Sequence, residues 1–246
     1  MSFLTILLLG FVILIADFLE GLTGFGSAVV AMPFAIMLIG INIARPVLTI
    51  VALLLAIYIV IISHKDILWE HYFRILAFVI LGLPFGIWLF DKLPESTLKK
   101  ILGVFMVLIA LRGLFIAYKE SKEGKEFKAI NNSILSIFLF LGGCIHGAFS
   151  CGGPLIILYA SEKLPNKSNF RATLSMLWIT LDSIIVLQSA LSHAITKDVL
   201  KLVLYTLPFL AIGAVLGNLA HHRIKDGAFT KIVYVLLFVS AFFMFR

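Results

Sequence analysis

Long runs of hydrophobic residues alternate with short polar connections along the whole chain. Ten segments are predominantly apolar, at approximately 3–19, 25–41, 46–63, 73–90, 98–117, 133–149, 153–161, 172–191, 199–220 and 228–245. A helix needs about 20 apolar residues to cross the hydrocarbon core of a bilayer, and most of these segments approach that length. No ten-residue pattern of alternating hydrophobicity indicates a barrel, and unpaired backbone groups are too costly in lipid for open strands. The pattern therefore predicts an all-α integral membrane protein.

One strongly charged stretch interrupts the series near its middle. Residues 119–128 read KESKEGKEFK, a sequence that requires contact with water. We therefore divide the chain into a first transmembrane repeat at 1–118, a charged cytoplasmic linker at 119–130 and a second transmembrane repeat at 131–246.

The two series of segments resemble one unit written twice. Matching residues occur in the same order in both halves, at shifts of 126 and then 131 residues: Gly21 and Gly147, Gly26 and Gly152, Arg45 and Arg171, Gly82 and Gly213, Gly86 and Gly217, and Lys100 and Lys231. Segments 25–41 and 153–161 are short or broken by Gly and Pro, so each is either a full span or one limb of a re-entrant hairpin. Either reading leaves an odd number of crossings in each half, which turns the second copy upside down. The predicted architecture is two inverted repeats of about five helical segments each, with Gly-rich broken or re-entrant segments.

Composition excludes a water-soluble domain. The chain is 61% hydrophobic and 13% charged, whereas soluble domains carry about 25% charged residues. The net charge of +7 does not indicate nucleic-acid binding, because the Lys and Arg residues lie in short connections between segments, where they determine membrane topology.

The distribution of these basic residues predicts an orientation. One face would hold the connections near 65–74, 119–128, 163–171 and 223–231, which contain 12 Lys or Arg, against seven on the opposite face. The positive-inside rule then places the first face in the cytoplasm. We therefore expect a multi-pass protein of the cell membrane with both termini outside.

Clustered glycines break an apolar segment in each half, at residues 17–33 (DFLEGLTGFGSAVVAMP) and 142–154 (GGCIHGAFSCGGP). Irregular backbone persists at membrane depth only where protein or a water-filled cavity satisfies it, and a restarted helix offers partially positive N–H groups to an anion. Matching breaks in both halves favour a substrate site over simple packing. The candidate binding residues at the breaks are Gly24, Gly26, Ser27, Ser150, Gly152 and Gly153. By contrast, the G-x-x-x-G pairs Gly82/Gly86 and Gly213/Gly217 lie in uninterrupted segments and are typical of helix packing.

Arg45 and Arg171 are the most informative charges, because each begins an apolar segment 19 residues after a matched glycine. A guanidinium group can hold two oxygens of a sulfonate or carboxylate at once. The alternative is that both residues anchor helices at the membrane interface. If both lie at the surface, the inverted arrangement places them on opposite faces. Gln188 adds a neutral hydrogen-bonding group to the candidate substrate site.

Four ionisable residues lie inside otherwise apolar segments: Asp17, Glu20, His146 and Asp182. An unpaired charge near the bilayer centre costs at least about 2.5–3.5 kcal/mol, so such residues are rare and usually functional. We identify these four as candidates for proton coupling, although Asp17 and Glu20 could instead lie near a short helix end in water. The two cysteines, Cys144 and Cys151, match no metal or redox spacing and are read as packing residues. We expect no metal and no cofactor.

The chain resembles the TauE/SafE sulfite exporter family, also called TSUP transporters. The resemblance depends on GLTGFGSAVVAMP from Gly21, GAFSCGGPLIILY from Gly147 and NFRATL from Asn169, within a duplicated pattern that covers nearly the whole chain. The family's glycine-rich stretch often has three adjacent glycines, whereas the first copy here reads Gly24-Phe25-Gly26-Ser27. The resemblance implies transport of sulfite, a sulfonate or a related organosulfur or carboxylate anion.

The sequence therefore predicts a secondary transporter of a small anion, working by alternating access at a site in the middle of the membrane. Its partners would be the anion, the lipid bilayer and a coupling ion, either a proton or sodium, and homo-oligomerisation stays open. Within transport, the alternative is a channel-like protein or a carrier of inorganic anions or neutral solutes. An intramembrane enzyme would require a catalytic set at one depth, and a structural or assembly subunit would not require matched glycine breaks. We expect that the protein is not an enzyme.

Overall fold

A computed structural model describes residues 2–105, 107, 108, 111, 131–164 and 166–223. All regular structure within these residues is helical. The helices are α1 (Phe3–Thr23), α2 (Ser27–Ile39), α3 (Ile41–Ser63), α4 (Trp69–Lys92), α5 (residues 95–105), α6 (Asn132–Phe149), α7 (Gly153–Lys163), α8 (Lys167–Leu191) and α9 (Lys197–His221), with a 3₁₀ turn at His64–Asp66. The predicted all-α class is confirmed. The linker at 119–130 and the segment at 228–245 lie outside the described residues.

Six of these helices are long and apolar enough to cross a membrane: α1, α3, α4, α6, α8 and α9. Their outer surface is apolar, and large side chains such as Phe73, Phe85 and Leu191 are more than 60% exposed. A protein in water would not expose so many large apolar groups, so this surface is suited to lipid. The chain is a multi-pass membrane protein.

Two further helices, α2 and α7, are too short to span the hydrocarbon core. They have 13 and 11 residues, or about 20 and 17 Å at 1.5 Å per residue, against a hydrocarbon core of about 30 Å. Each follows one of the predicted breaks. Neither short helix can span the hydrocarbon core by itself, and each begins among buried residues.

The two breaks use different backbone conformations. Gly24 ends α1 with a left-handed φ of 85°, and its N–H donates to the carbonyl oxygen of Glu20, while Gly26 precedes α2 with a φ of 107°. In the second half, Ser150 ends α6 with a left-handed φ of 54°, and Gly152 precedes α7 with a right-handed φ of −70°. Left-handed backbone favours Gly. The two breaks therefore occupy similar positions in the two halves but differ in backbone conformation.

The most extensive helix contacts join one helix from each half, α1 with α9 and α4 with α6. A Cβ added to Gly82 or Gly86 would overlap backbone atoms of α6, and one added to Gly213 or Gly217 would approach the backbone of α1 at 2.7 and 2.5 Å. The packing role predicted for these four glycines agrees with this geometry.

Helices α3 and α8 pack against each other in opposite directions. Arg45, near the start of α3, lies beside Gln188 near the end of α8. Just beyond the other end of α3, the Asp66 carbonyl oxygen accepts a hydrogen bond of 2.7 Å from the side-chain amide of Asn169. The connections near 65–74 and 163–171 therefore lie on the same face, as the sequence predicts. Lys167 Nζ donates to the His221 carbonyl oxygen at 2.8 Å, which brings the end of α9 to that face as well.

Candidate functional site

Both helix breaks border one small buried cavity, which we call the central cavity. Its polar lining consists of Glu20 from α1, His146 from α6, Ser150 just after the end of α6, and Trp178 and Asp182 from α8. Gly26 and Gly153 line it at the starts of α2 and α7. Its volume is about 20 Å³, which is enough for about one water molecule. The two halves of the chain therefore contribute to a single polar space.

A hydrogen-bond network joins α1 to the start of α2. The Ser27 hydroxyl donates to Asp17 Oδ1, and the Ser27 backbone N–H donates to Glu20 Oε2 at 2.9 Å. All three side chains are buried. The second oxygens, Asp17 Oδ2 and Glu20 Oε1, are buried and have no hydrogen-bond partner among the described residues. Each carboxyl group therefore keeps one oxygen available for a proton or a ligand.

On the opposite wall, His146 contacts both Asp182 and Trp178. His146 Nε2 lies 3.0 Å from Asp182 Oδ1, and both side chains are buried. The imidazole stacks on the Trp178 ring at 5.4 Å between centroids and 16° between planes. The Trp178 indole N–H donates to the Gly24 carbonyl oxygen at 2.8 Å. These contacts fix the histidine ring against the first break, while its Nδ1 is buried without a partner among the described residues.

Ser150 links the second break to α3. Its hydroxyl shares a hydrogen bond of 2.6 Å with the hydroxyl of Thr49, which also bonds the Arg45 carbonyl oxygen at 2.8 Å. Both hydroxyl groups are buried. The left-handed turn at Ser150 is therefore held by a contact between the two halves.

The electrostatic character of the central cavity is mixed. Ala28 and Val29 line it, and their N–H groups belong to the first turn of α2, where an α-helix provides no internal acceptors. Such N–H groups favour a negative ligand. Glu20 and Asp182 also line the cavity, and no Lys or Arg of the described part of the chain does. An anion can therefore be accommodated only if these carboxyl groups are neutralised or paired.

Arg45 is buried outside this lining. One terminal nitrogen donates to the Gly147 carbonyl oxygen at 2.6 Å, and the other lies 3.5 Å from Gln188 Oε1. The guanidinium carbon lies 4.0 Å from the centroid of the Phe90 ring. The fork that was predicted to hold substrate is occupied by protein groups, and Gln188 belongs to the same cluster.

Arg171 borders a second cavity of about 190 Å³, which we call the Arg171 cavity. This cavity is lined by Ile62, Ser63, Asp66, Ser168, Arg171, Asn218, His221 and His222. A terminal nitrogen of Arg171 donates to Asn218 Oδ1 at 2.9 Å. Arg45 and Arg171 therefore lie at opposite ends of the α3–α8 pair. Both are buried, whereas the sequence argument placed them on opposite faces on the condition that both lie at the surface.

Two of the predicted glycines have packing contacts instead of cavity contacts. A Cβ added to Gly152 would overlap the Gly142 carbonyl oxygen, and one added to Gly24 would lie 2.6 Å from the Arg171 Cα. Neither residue lines the central cavity. In the second half, the glycine that lines it is Gly153, one residue later, where an added Cβ meets only ordinary contacts of 3.8 Å and more.

The structure thus brings together about half of the predicted site residues. Those that line the central cavity are Glu20, Gly26, His146, Ser150, Gly153 and Asp182, and the bonded pair Asp17 and Ser27 is adjacent to it. Sequence reasoning missed Thr49 and Trp178. A signal for Trp178 existed, because it precedes Asp182 by four residues and therefore shares its helix face. Cys151 also lines the cavity, and both cysteines are free. The described residues contain no group of three or more His, Cys, Asp or Glu side chains that could hold a metal.

Comparison with known proteins gives one result. The sequence model of the family described as Sulfite exporter TauE/SafE matches residues 8–244, nearly the whole chain. No curated protein and no solved structure matches the chain significantly.

Proposed function

Since this chain belongs to the TauE/SafE family of sulfite exporters, we propose that it carries sulfite or a short sulfonate through the central cavity by alternating access. The family assignment makes it a membrane transporter of the sulfite-exporter type. The choice of ligand, the location of the site and the cycle of opening are our proposal, and the geometry of the central cavity is its main support.

One observation carries the proposal: the helix breaks of both halves border the same cavity, which contains buried polar atoms without partners. Glu20 Oε1 and His146 Nδ1 have no hydrogen-bond partner among the described residues. Unpaired buried polar groups are expensive, so these two atoms are candidates for contact with a bound ligand. A small oxyanion beside the first turn of α2 would accept a hydrogen bond from Glu20 when that carboxyl group is protonated, and from His146 when Nδ1 carries a proton.

The size of the cavity supports alternating access. A volume of about 20 Å³ admits about one water molecule, whereas sulfite has four non-hydrogen atoms. The conformation described here is therefore closed around its site, and the ligand requires an opening movement. The short helices α2 and α7 are suited to that movement, because each is attached through a break in the backbone.

The helix contacts support the predicted inverted repeats. The repeat makes α1 equivalent to α6, α3 to α8 and α4 to α9. If each helix is replaced by its equivalent, the α1–α9 pair becomes the α6–α4 pair, and the α3–α8 pair remains the same pair. A two-fold axis that relates two antiparallel helices must be perpendicular to them, and α3 and α8 are antiparallel. An axis in the membrane plane meets this condition, as in other transporters with inverted repeats.

A proton is the coupling ion that the chemistry of the cavity favours. An anion beside ionised Glu20 and Asp182 would be repelled, and burying several charges of one sign is prohibitively costly. Protonation of these carboxyl groups would remove the repulsion and turn each into a hydrogen-bond donor. His146 lies within hydrogen-bonding distance of Asp182 and provides a second position for a proton.

Flux of radiolabelled sulfite into proteoliposomes tests this proposal. The expected result is uptake that saturates with sulfite concentration and is accelerated by a proton gradient directed inward with the substrate. Liposomes without protein provide the background. A linear, non-saturating flux would support a channel, chemical conversion of the substrate would support an enzyme, and flux at the background level would contradict transport of sulfite.

A further inference from the structure

The two equivalent arginines have different surroundings in this structure. The Arg45 guanidinium contacts the Gly147 carbonyl oxygen, Gln188 and the face of Phe90. Arg171 has one side-chain acceptor, Asn218, and its Nε is buried without a partner among the described residues. The Nε of Arg45 is likewise without a partner among the described residues. Both terminal nitrogens of Arg45 are directed at protein groups, however, whereas Arg171 borders a cavity.

That space can hold a multi-atom ligand. The Arg171 cavity measures about 190 Å³, against about 20 Å³ for the central cavity. At about 10–15 Å³ of such space per water molecule, the Arg171 cavity has room for a group the size of sulfite or methanesulfonate. Of these two cavities, the Arg171 cavity is the one large enough to accept such a group in this conformation.

The polar groups around the cavity favour an oxyanion. Arg171 supplies a guanidinium group, and since Asn218 Oδ1 already accepts from it, the Asn218 amide nitrogen is left to donate. The His221 and His222 rings line the same space, and His221 is oriented by a hydrogen bond of 2.7 Å from Nδ1 to the Leu22 carbonyl oxygen. Asp66 is the carboxyl group in the lining and opposes an anion.

The Gly24 turn contacts one lining residue of each cavity. The Gly24 backbone packs directly on the Arg171 backbone, where an added Cβ would lie 2.6 Å from the Arg171 Cα. On its other side, the Gly24 carbonyl oxygen accepts the hydrogen bond from Trp178, which lines the central cavity. The Gly24 turn therefore lies in contact with both Arg171 and Trp178.

We propose that the Arg171 cavity is a second binding site, outside the closed central cavity, for a small sulfonate or sulfite ion held by the Arg171 guanidinium and the Asn218 amide. A fork of two parallel N–H groups matches two oxygens of such an ion. The binding site itself is independent of transport. In transport, this site would be the position from which the ion passes the Gly24 turn. That role rests on the proposed transport function.

A thiol introduced at Ser63, which lines the Arg171 cavity, provides a local test. The purified full-length Ser63→Cys protein is treated with N-ethylmaleimide, and labelling at position 63 is quantified by peptide mass spectrometry. Sodium methanesulfonate serves as the probe, because sulfite itself reacts with maleimides. Labelling should slow along a saturable curve, to about one tenth of its initial rate at ten times Kd, because a single site is then about nine-tenths occupied. Sodium chloride at equal ionic strength should leave the rate unchanged.

Variants of the two arginines decide the assignment. Arg171→Gln in the same background should abolish protection by methanesulfonate, and Arg171→Lys should weaken it because the fork is lost. The matched control Arg45→Gln should retain full protection. No protection in the parent protein, equal protection by chloride, or full protection in both Arg171 variants would overturn the proposal. If Arg171→Gln fails to give a monodisperse protein, protection by methanesulfonate is measured in Arg171→Lys and Asn218→Ala instead, and both should show weaker protection than the parent.

The same variants separate this proposal from transport. Protection without sulfite flux in proteoliposomes supports the second site and rejects the transport function. Saturable flux with no protection rejects the second site and leaves the central-cavity proposal standing.

Discussion

The indole N–H of Trp178 donates a hydrogen bond of 2.8 Å to the carbonyl oxygen of Gly24, two residues that are 154 positions apart. The bond joins the wall of the central cavity in the second half to the helix break in the first. Trp178→Phe keeps an aromatic ring against His146 and leaves the Gly24 carbonyl without this donor. Loss of a buried hydrogen bond should reduce the free energy of unfolding by about 1–3 kcal/mol, which thermal unfolding in detergent would measure.

The matched control for this substitution is Trp69→Phe. Trp69 is half exposed at the start of α4 and makes only ring contacts in the described structure. Its replacement should leave the unfolding temperature nearly unchanged. Equal losses of unfolding free energy in the two variants would mean that the hydrogen bond from Trp178 to Gly24 does not contribute measurably to stability.

Asp182 should be required for coupling and not for the movement of the anion itself. Asp182→Asn keeps the size of the side chain and a group that can bond His146, but it cannot exchange a proton. In proteoliposomes with this variant, we expect that a proton gradient no longer accelerates sulfite uptake. Exchange of external for internal sulfite should be retained. Asp198→Asn, the same change on the exposed first turn of α9, should behave as the parent. Persistent acceleration in Asp182→Asn would remove Asp182 from the coupling mechanism.

Neighbouring glycines should respond differently to the same small change. Gly153→Ala adds a methyl group with ordinary contacts beside the central cavity. The variant should fold with nearly unchanged stability and lose most of its sulfite flux, because the methyl group takes space that the ligand needs. Gly152→Ala places its methyl group on the Gly142 carbonyl oxygen and should fail to give monodisperse protein on size exclusion. A well-folded Gly152→Ala protein, or full flux in Gly153→Ala, would show that the two roles are assigned incorrectly.

Arg45 should contribute more to stability than Arg171. Arg45→Gln removes the donor to the Gly147 carbonyl oxygen and the cation above Phe90, contacts worth about 1–3 kcal/mol when buried. Arg171→Gln removes one hydrogen bond to Asn218 beside a cavity. The fall in unfolding temperature should therefore be larger for Arg45→Gln. The reverse order would contradict the view that Arg45 is a structural clamp in this conformation.

The charge distribution predicts that the face carrying the 3₁₀ turn is cytoplasmic. Lys65→Cys, in this exposed turn, should react with an impermeant maleimide only after the cells are opened. Ser192→Cys, exposed at the end of α8 on the opposite face, should react in intact cells. The reversed labelling pattern would invert the topology and place both termini inside.

Features that depend on local sequence could be predicted well. The apolar runs identified the spanning helices, and the G-x-x-x-G spacing of Gly82 and Gly86 identified a packing surface, because helix geometry alone places residues four apart on one face. The same holds for Glu20 and His146, whose rarity within apolar segments marked them before their neighbours were known. Both line the central cavity.

Features that depend on distant contacts could not be predicted. Matching Gly152 to Gly26 assumed that both breaks turn in the same way, yet one break uses left-handed glycines and the other a left-handed Ser150. The glycine that lines the central cavity in the second half is therefore Gly153 and not Gly152. Thr49 and Trp178 acquire their roles from partners in the opposite half, at Ser150 and Gly24. Nothing in the local pattern around either residue indicates these partners.

The pairing of α1 with α9 has a consequence for how the protein is made. Gly21 packs against Gly217, which the ribosome adds 196 residues later. The first helix must therefore enter the bilayer and remain there, with Asp17 and Glu20 only partly covered, until the ninth helix has been synthesised. Insertion of the helices and their final packing are separate events, as contacts so distant in sequence form slowly. A chain truncated before α9 should consequently be recognised and degraded by membrane quality control.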